Sequence, residues 1–502
     1  MRPVDSGDYC LGIVGLGAMG QGIAQVAAMG GIRTLLFDAR AGAAAAGKAQ
    51  VVARLERLAG KGRLAAPVEA LAARLEVVED LAAFAACDAV VEAIVEDLAV
   101  KAKVFADLEA VVGEGCILAS NTSSIPIGAL ARGARRPARI AGMHFFNPVP
   151  VMRLVEIIRG PATDPEVCAR LAELGERLGR TPVQVKDAPG FLVNFGGRAF
   201  LTEGLRLEQE GVASVAQIDA ILRDCCGFRM GPFELMDLTG IDVNYPVTTI
   251  VHQGYMGDPR LATVPLHRQL YEAGRLGRKT ARGFYDYDDR GGRIDPEGID
   301  FRPAGPAAAR VVLLEPDDRL TAFAQGLGVE AVASDDGVSP ILAYPVGEDA
   351  TTLAVRTGAD HRRLVAVDLS ASTERRVTLM TAPGADPAVR DAVAAAVTTT
   401  GRAVTAIADS PGFVALRMRA FVANLGCYMA QIGLAEPAGI DTGMRLGLNY
   451  PAGPLEMAED LGLSTTLQVL ERLQAITGDD RYRPTLWLRR RALLGLPIRQ
   501  PN

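Results

Sequence analysis

Apolar and polar positions succeed one another along the first third of the chain in blocks that predict strand, turn and helix in regular order. Residues 10–39 read CLGIVGLGAMGQGIAQVAAMGGIRTLLFDA, in which a short apolar run, Leu11 to Val14, meets a glycine-rich turn and then a stretch of helical character. An unbroken apolar run of that length between turn residues predicts a strand buried in a parallel sheet. Thr34 to Phe37 repeats the pattern and ends in Asp38; DAVVEAI, residues 88–94, repeats it ahead of Glu96 and Asp97. Lys101 follows near the start of a predicted helix, and CILASNTSSIPI carries a further strand into Asn121, Thr122, Ser123 and Ser124. RIAGMHFF predicts a strand reaching His144, and NPVPV forces a turn with its two prolines. RLVEII returns as a second strand and places Glu156 twelve residues after the histidine. Strands alternating with helices predict an α/β, Rossmann-like domain.

Composition narrows the function classes. A chain of 502 residues predicts several domains, and its 49% hydrophobic content is ample for buried cores. The net charge of −6 supplies no basic field for nucleic acid. No apolar run reaches the roughly 18 residues of a membrane span, and MRPVDSGDY lacks the apolar stretch of a secretory signal. Seven scattered cysteines without a C-x-x-C pair argue against a disulfide framework or a metal site and point to a reducing cytoplasm.

The loop Gly15-Leu16-Gly17-Ala18-Met19-Gly20 has the G-x-G-x-x-G spacing between a predicted strand and helix. Such glycines permit a tight turn, let the backbone approach a pyrophosphate, and let helix pack closely on strand. The helix amino terminus adds free N–H groups and partial positive charge. Asp38, about twenty residues beyond, suits the ribose hydroxyls and repels a 2′-phosphate, which favours NAD; Arg40 leaves NADP open. The tips of successive strands line the ligand crevice in such a sheet, which makes Glu96, Lys101 and Ser123 candidates. Asn-Thr-Ser-Ser is also ordinary turn and helix-cap chemistry, so Ser123 stands between the two readings.

Only four histidines occur in the chain. A strand-end histidine alone is more often structural. With a nucleotide loop upstream and a carboxylate at hairpin spacing, His144 and Glu156 instead suit alcohol oxidation. The carboxylate fixes the tautomer and stabilises the imidazolium formed on proton uptake.

Seven stretches, GLGAMGQGIAQVAAMGG, VVEAIVEDLAVK, SNTSS, GMHFFNPVPVMRLVE, KDAPGFLVN, MGPFELMDLTG and GRKTARGFYDY, together resemble the L-3-hydroxyacyl-CoA dehydrogenase family in order across residues 10–287. The resemblance implies an NAD-binding Rossmann-like domain followed by an all-α domain. It implies His144 as general base, Glu156 as its orienting partner, and Ser123 and Asn194 as ligands of the substrate oxygen. Glu96, Lys101, Asn147 and Lys279 would join the glycine loop and Asp38 in holding NAD, and Lys61 would lie near coenzyme A. The implied substrate is an acyl-CoA of fatty-acid β-oxidation or of phenylacetate breakdown, 3-hydroxybutyryl-CoA or the dicarboxylic 3-hydroxyadipyl-CoA. A sugar-acid dehydrogenase of the L-gulonate type, or a non-catalytic NAD-binding partner protein, are the rival readings. Phe195, Gly196 and Gly197 depart from the family's arginine and bulky aliphatics, and Ala281 stands where it often has glycine.

The chain also resembles itself. Shifted by 222 residues, KDAPGF at 186–191 falls on ADSPGF at 408–413, and MGPFELMD falls on AGPLEMAE. The same shift puts His144 on Ala366, Glu156 on Thr378 and Asn194 on Leu416. The pattern predicts an internal duplication with one active site. Its expected parts are a dinucleotide-binding domain (1–185), a helical domain (186–290), a linker (291–305), a degenerate Rossmann-like domain (306–407) and a second, non-catalytic helical domain (408–502). Two helical copies in one chain are expected to pack as an internal pseudo-dimer, with a further homo-oligomer left open.

Overall fold

The computed structural model describes residues 2–332 and 334–501. The first half builds strands β1 (Cys10–Val14), β2 (Arg33–Phe37), β3 (Leu75–Val77), β4 (Ala89–Glu92), β5 (Ile117–Ser120), β6 (Ile140–Phe145), β7 (Leu154–Arg159) and β8 (Thr181–Lys186). Between them run helices α1 (Ala18–Met29), α2 (Ala43–Ala59), α3 (Val68–Ala72), α4 (Leu98–Val111), α5 (Ile127–Leu130) and α6 (Pro165–Arg177). Helices α7 (Val193–Gln209), α8 (Val215–Cys226), α9 (Pro232–Thr239), α10 (Ile241–Gly254) and α11 (Pro265–Glu272) follow, then a ribbon of β9 (Asp286–Tyr287) and β10 (Arg293–Ile294).

The second half repeats the plan in shorter form. It has β11 (Arg310–Leu314), α12 (Asp318–Leu327), β12 (Glu330–Val332), β13 (Ile341–Ala343), α13 (Ala350–Thr357), β14 (Leu364–Val367), β15 (Arg376–Met380), α14 (Pro387–Thr398) and β16 (Ala403–Ile407). Helices α15 (Ala415–Gln431), α16 (Pro437–Leu448), α17 (Pro454–Leu461), α18 (Leu463–Thr477) and α19 (Leu486–Leu494) complete it.

These elements form two units: Met1–Phe195 with Ile432–Leu448, and Gly196–Gln431 with Asn449–Asn502. In the first unit one sheet runs in the order β3-β2-β1-β4-β5-β6-β7-β8. It is parallel from β3 to β6, and β7 turns back antiparallel to β6. Apolar residues of β1, β2, β4 and β6, among them Leu11, Ile13, Leu36, Val91 and Met143, pack against Ile23, Ala27 and Leu174 of α1 and α6. Burial from both faces explains why these strands read as unbroken apolar runs. Strand order reverses between β1 and β4, and a sheet of this kind opens its ligand crevice at the carboxyl ends beside that point.

In the second unit a six-stranded sheet runs β12-β11-β13-β14-β15-β16, again with one antiparallel pair, β14 and β15. It has two strands fewer than the first. Each half of the chain keeps marks of the shared origin. Asp187 accepts hydrogen bonds from the Ile127 and Gly128 amides, and Asp409 accepts them from Ala350 and Thr351. Phe191 and Phe413 both have left-handed backbones, φ 47° and 53°. Gly204 and Gly426 each lie where a side chain would strike a proline, Pro232 and Pro454 respectively. Among the described residues no helix is long and apolar enough to cross a membrane.

Ala281, one of the two departures noted in the sequence, has φ 56°. Glycine adopts that left-handed conformation without steric cost, so the alanine carries about 1 kcal/mol of local strain.

Candidate active site

The glycine loop leaves β1 and enters α1. Gly15 has φ 94°, and a Cβ there would lie 2.6 Å from the Ala93 carbonyl oxygen; a Cβ on Gly20 would lie 1.8 Å from that of Gly15. Only glycine fits either place. Gly17 is different: a Cβ there would meet nothing within 4 Å, and the residue is exposed. No side chain caps the amino terminus of α1. Open backbone at the mouth of an uncapped helix is a fit for the pyrophosphate of NAD. Leu16 is buried, Ala18 exposed and Met19 half-buried.

Asp38 stands at the end of β2, and its Oδ2 accepts the Leu16 amide at 2.9 Å. Its Oδ1 takes the Arg40 amide, and the Arg40 guanidinium closes on both oxygens. Burial works to raise this carboxyl, but the Arg40 side chain and the two amides outweigh it and hold it below the ordinary value. The arginine that left NADP open is thus engaged by the acid that favours NAD.

At the tips of β4 and β5 the polar residues interlock. Lys101 is buried, its ammonium 2.6 Å from Glu92 Oε1 and 3.2 Å from Glu96 Oε2. Glu92 also accepts the Ile94 amide and the Ser120 hydroxyl. Glu96 Oε1 collects the Thr122 hydroxyl at 2.6 Å and the amides of Ser123 and Ser124 at 3.1 and 3.2 Å. Burial raises the Glu96 carboxyl, yet Thr122 and Lys101 prevail and lower it. Ser123 is exposed. Sequence reading passed over Glu92, an acid closing an apolar strand; the signal was a lysine nine residues later, on the first turn of a helix.

His144 and Glu156 are direct partners across the β6–β7 hairpin, as their spacing predicted. The histidine is 6% and the glutamate 0% exposed. Nδ1 lies 2.6 Å from Glu156 Oε2, while Oε1 accepts the Leu192 and Val193 amides at 3.0 and 2.9 Å. With the carboxylate ionised and the imidazole neutral, Nδ1 carries the proton and Nε2 keeps its lone pair. Phe146 and Phe191 lie tilted beside the ring, their centroids 4.5 and 5.9 Å away. Asn121 Oδ1 accepts the Phe145 amide and ties the end of β5 to that of β6. These contacts (two main-chain amides on Glu156, and Asn121 on the backbone beside the ring) were not assigned such roles from sequence: main-chain donors leave no residue signature, and Asn121 reads as one more polar strand tip.

The other predicted residues are more dispersed. Asn147 is exposed just past β6, Asn194 is half-buried on the first turn of α7, and Lys61 is exposed on the turn after α2. Lys279 belongs to the second unit, where it pairs with Asp242 at 2.6 Å. In that unit α12, which follows the sheet's β11, is capped by Asp317, whose side chain accepts the Leu320 amide, and Asp318 adds a second acid. A capped, acidic helix start repels phosphate.

Comparison with known proteins places these features. A family model described as "3-hydroxyacyl-CoA dehydrogenase, NAD binding domain" matches residues 10–188. One described as "3-hydroxyacyl-CoA dehydrogenase, C-terminal domain" matches twice, at 190–287 and 412–500. The chain is 39% identical over 484 residues to the 3-hydroxyadipyl-CoA dehydrogenase of Escherichia coli, covering 96% of this chain and 97% of that one. It is 43% identical to a probable 3-hydroxybutyryl-CoA dehydrogenase of Deinococcus radiodurans, over 55% of this chain and 99% of the relative. The crystal structure of 3-hydroxybutyryl-CoA dehydrogenase from Escherichia coli K12 superposes with a TM-score of 0.86 at 37% identity, covering 97% and 98% of the two chains.

Replacing Lys101 by methionine leaves the Glu92 charge buried without its counter-ion. Chemical unfolding should show a loss of about 3–5 kcal/mol, and adding Glu92→Gln should recover most of it. A surface-like loss of under about 1 kcal/mol would mean the pair does not hold β4 to α4.

Proposed function

The chain belongs to the 3-hydroxyacyl-CoA dehydrogenase family and is an NAD-dependent 3-hydroxyacyl-CoA dehydrogenase; within that activity we propose that His144 is the base that takes the substrate's hydroxyl proton. The observation that carries this reading is the 2.6 Å contact between Nδ1 and a carboxylate held by two amides. With Nδ1–H committed to Glu156, Nε2 is the basic nitrogen. As the alcohol carbon becomes a carbonyl, the oxygen's proton passes to Nε2, and Glu156 balances the imidazolium without itself being protonated. NAD, when bound, supplies the two-electron acceptor for the hydride. Ser123 and Asn194 hold the substrate oxygen. The Gly15–Gly20 loop, Asp38, Glu96, Lys101 and Asn147 would hold the dinucleotide, and Lys61 would lie toward coenzyme A.

For the acyl group we favour a dicarboxylic thioester of the 3-hydroxyadipyl type, which the full-length Escherichia coli relative is named for. Arg198 supports it. It follows Asn194 by four residues on α7, about 6 Å further along the helix axis. The three bonds from carbon 3 to a distal carboxylate, plus a hydrogen bond, span a similar length. The Arg198 side chain is buried and donates to the Asn244 carbonyl and the Thr248 hydroxyl. Burial pushes its pKa down to about 10, so it stays charged at neutral pH.

The second half, residues 306–502, is in this reading a copy without dinucleotide or catalysis, packed as an internal pseudo-dimer. The seven cysteines are free thiols, in keeping with a cytoplasmic enzyme.

His144→Ala should lower kcat with NAD by roughly 10² to 10⁴-fold, read from NADH formation; full turnover would remove the base. Arg198→Met should lower kcat/KM for the C6 dicarboxylic thioester by roughly 10- to 100-fold relative to the C4 monocarboxylic one. An unchanged ratio between the two substrates would refute the carboxylate role, and loss of folding alone leaves that ratio unmoved.

A further inference from the structure

Helix α16 belongs by sequence to the second copy, yet it is part of the first structural unit. Just before it, the Leu434 carbonyl accepts the Lys186 amide, 2.8 Å away at the end of β8. The helix has 12 residues and carries Gly439, Gly443 and Gly447, four apart and therefore on one face. Each glycine is pressed against the first copy. A Cβ on Gly439 would lie 3.0 Å from Val183, on Gly443 2.6 Å from Leu192, and on Gly447 2.8 Å from Val193 and 3.0 Å from Leu154. Carbon–carbon contact distances are about 3.5–4.0 Å, so a side chain at any of the three would have to displace the residue it meets. Leu192 and Val193 are the residues whose amides hold Glu156 Oε1.

The internal repeat supplies a comparison. Helix α8 is the counterpart of α16 and packs in the second unit on β15, where Asp224 pairs with Arg376 at 3.0 Å and Cys225 Sγ donates to the Arg376 carbonyl. At the positions of the three glycines α8 has Gln217, Ile221 and Cys225. The residues matching Leu192, Val193 and Leu154 are Val414, Ala415 and Arg376, and those matching His144 and Glu156 are Ala366 and Thr378. The glycine face therefore occurs on the helix beside the histidine–carboxylate pair and is missing from the one beside its inert counterpart. Glycine weakens a helix through backbone entropy, so three in one short helix call for an offsetting contact, and two of the three touch the residues whose amides hold Glu156.

We infer that α16 of the second copy is a positioning element of the first copy's active site. Its glycine face sets how closely the helix approaches Leu192 and Val193, and through their amides where Glu156 holds the His144 ring. The inference rests on the reading of His144 as base, and gives the inert copy a part in turnover without chemistry of its own.

The test is a steady-state comparison in the full chain. Gly443→Val should lower kcat roughly 10- to 100-fold, the scale of an ångström-sized misplacement. KM and the affinity for NADH, read from nicotinamide fluorescence, should stay within about twofold, since substrate and coenzyme contacts are untouched. Adding Leu192→Ala removes the branches that the valine strikes and should restore most of the lost kcat. Ile221→Val at the matching place on α8 should leave kcat unchanged. If Gly443→Val does not fold, Gly443→Ala with and without Leu192→Ala makes the same comparison on a smaller scale. Parental kcat in the folded glycine variant, or a loss that Leu192→Ala does not relieve, overturns the inference. Turnover surviving in His144→Ala would overturn the base instead, so the two failures are distinct.

Discussion

A carboxylate with no solvent exposure exists here only because its oxygens are satisfied: Glu156 receives the His144 ring on one and two main-chain amides on the other. An unpaired charge in that place would cost several kcal/mol or shed its charge by taking a proton. Each donor in turn imposes a demand on the fold. The β6–β7 hairpin must be in the register that sets residue 144 opposite 156. The turn after β8 must pass through left-handed Gly190 and Phe191 to point two successive amides inward. Asp187 fixes that turn by accepting the amides at the start of α5. The geometry of the pair thus draws on a strand pairing, a strained turn and a helix start at once.

The duplication distributes these demands unequally. The first copy keeps eight strands, an uncapped helix at its glycine loop and the histidine–carboxylate pair. The second keeps six strands, caps the corresponding kind of helix with Asp317, and has alanine and threonine where the pair would be. What both copies retain is the scaffold around the helical domains: the aspartate that ties the turn, the left-handed phenylalanine, and the glycine beneath a proline. Loss of the histidine–carboxylate pair with retention of packing is the outcome expected when one copy is kept for the surface it presents.

Much of this was legible in the sequence, for identifiable reasons. Buried parallel strands are apolar on both faces, so β1, β2, β5 and β6 announce themselves as short runs, and the twelve-residue spacing of His144 and Glu156 encodes a hairpin register. The glycine loop is equally plain because two of its positions admit no side chain at all. Glu92 was missed because an acid at a strand end reads as solvated surface, whereas its charge is matched within the fold by Lys101. The place of α16 could not be read: helical periodicity tells which face is apolar, not which sheet it meets. Its glycines look like weak helix propensity until the contact with Leu192 is seen. The Asp38–Arg40 pair lay in plain view as residues but not as an interaction, since two residues of spacing does not dictate that their side chains close on each other.

The central claim is that the dyad's second ring nitrogen receives the alcohol's proton. The most direct measurement is a crystal structure of the full chain with NADH and a 3-ketoacyl-CoA bound. The account predicts Nε2 of His144 within about 3 Å of the carbon-3 oxygen, with Nδ1 still on Glu156. A keto oxygen held elsewhere, with the imidazole out of hydrogen-bond reach, would contradict it.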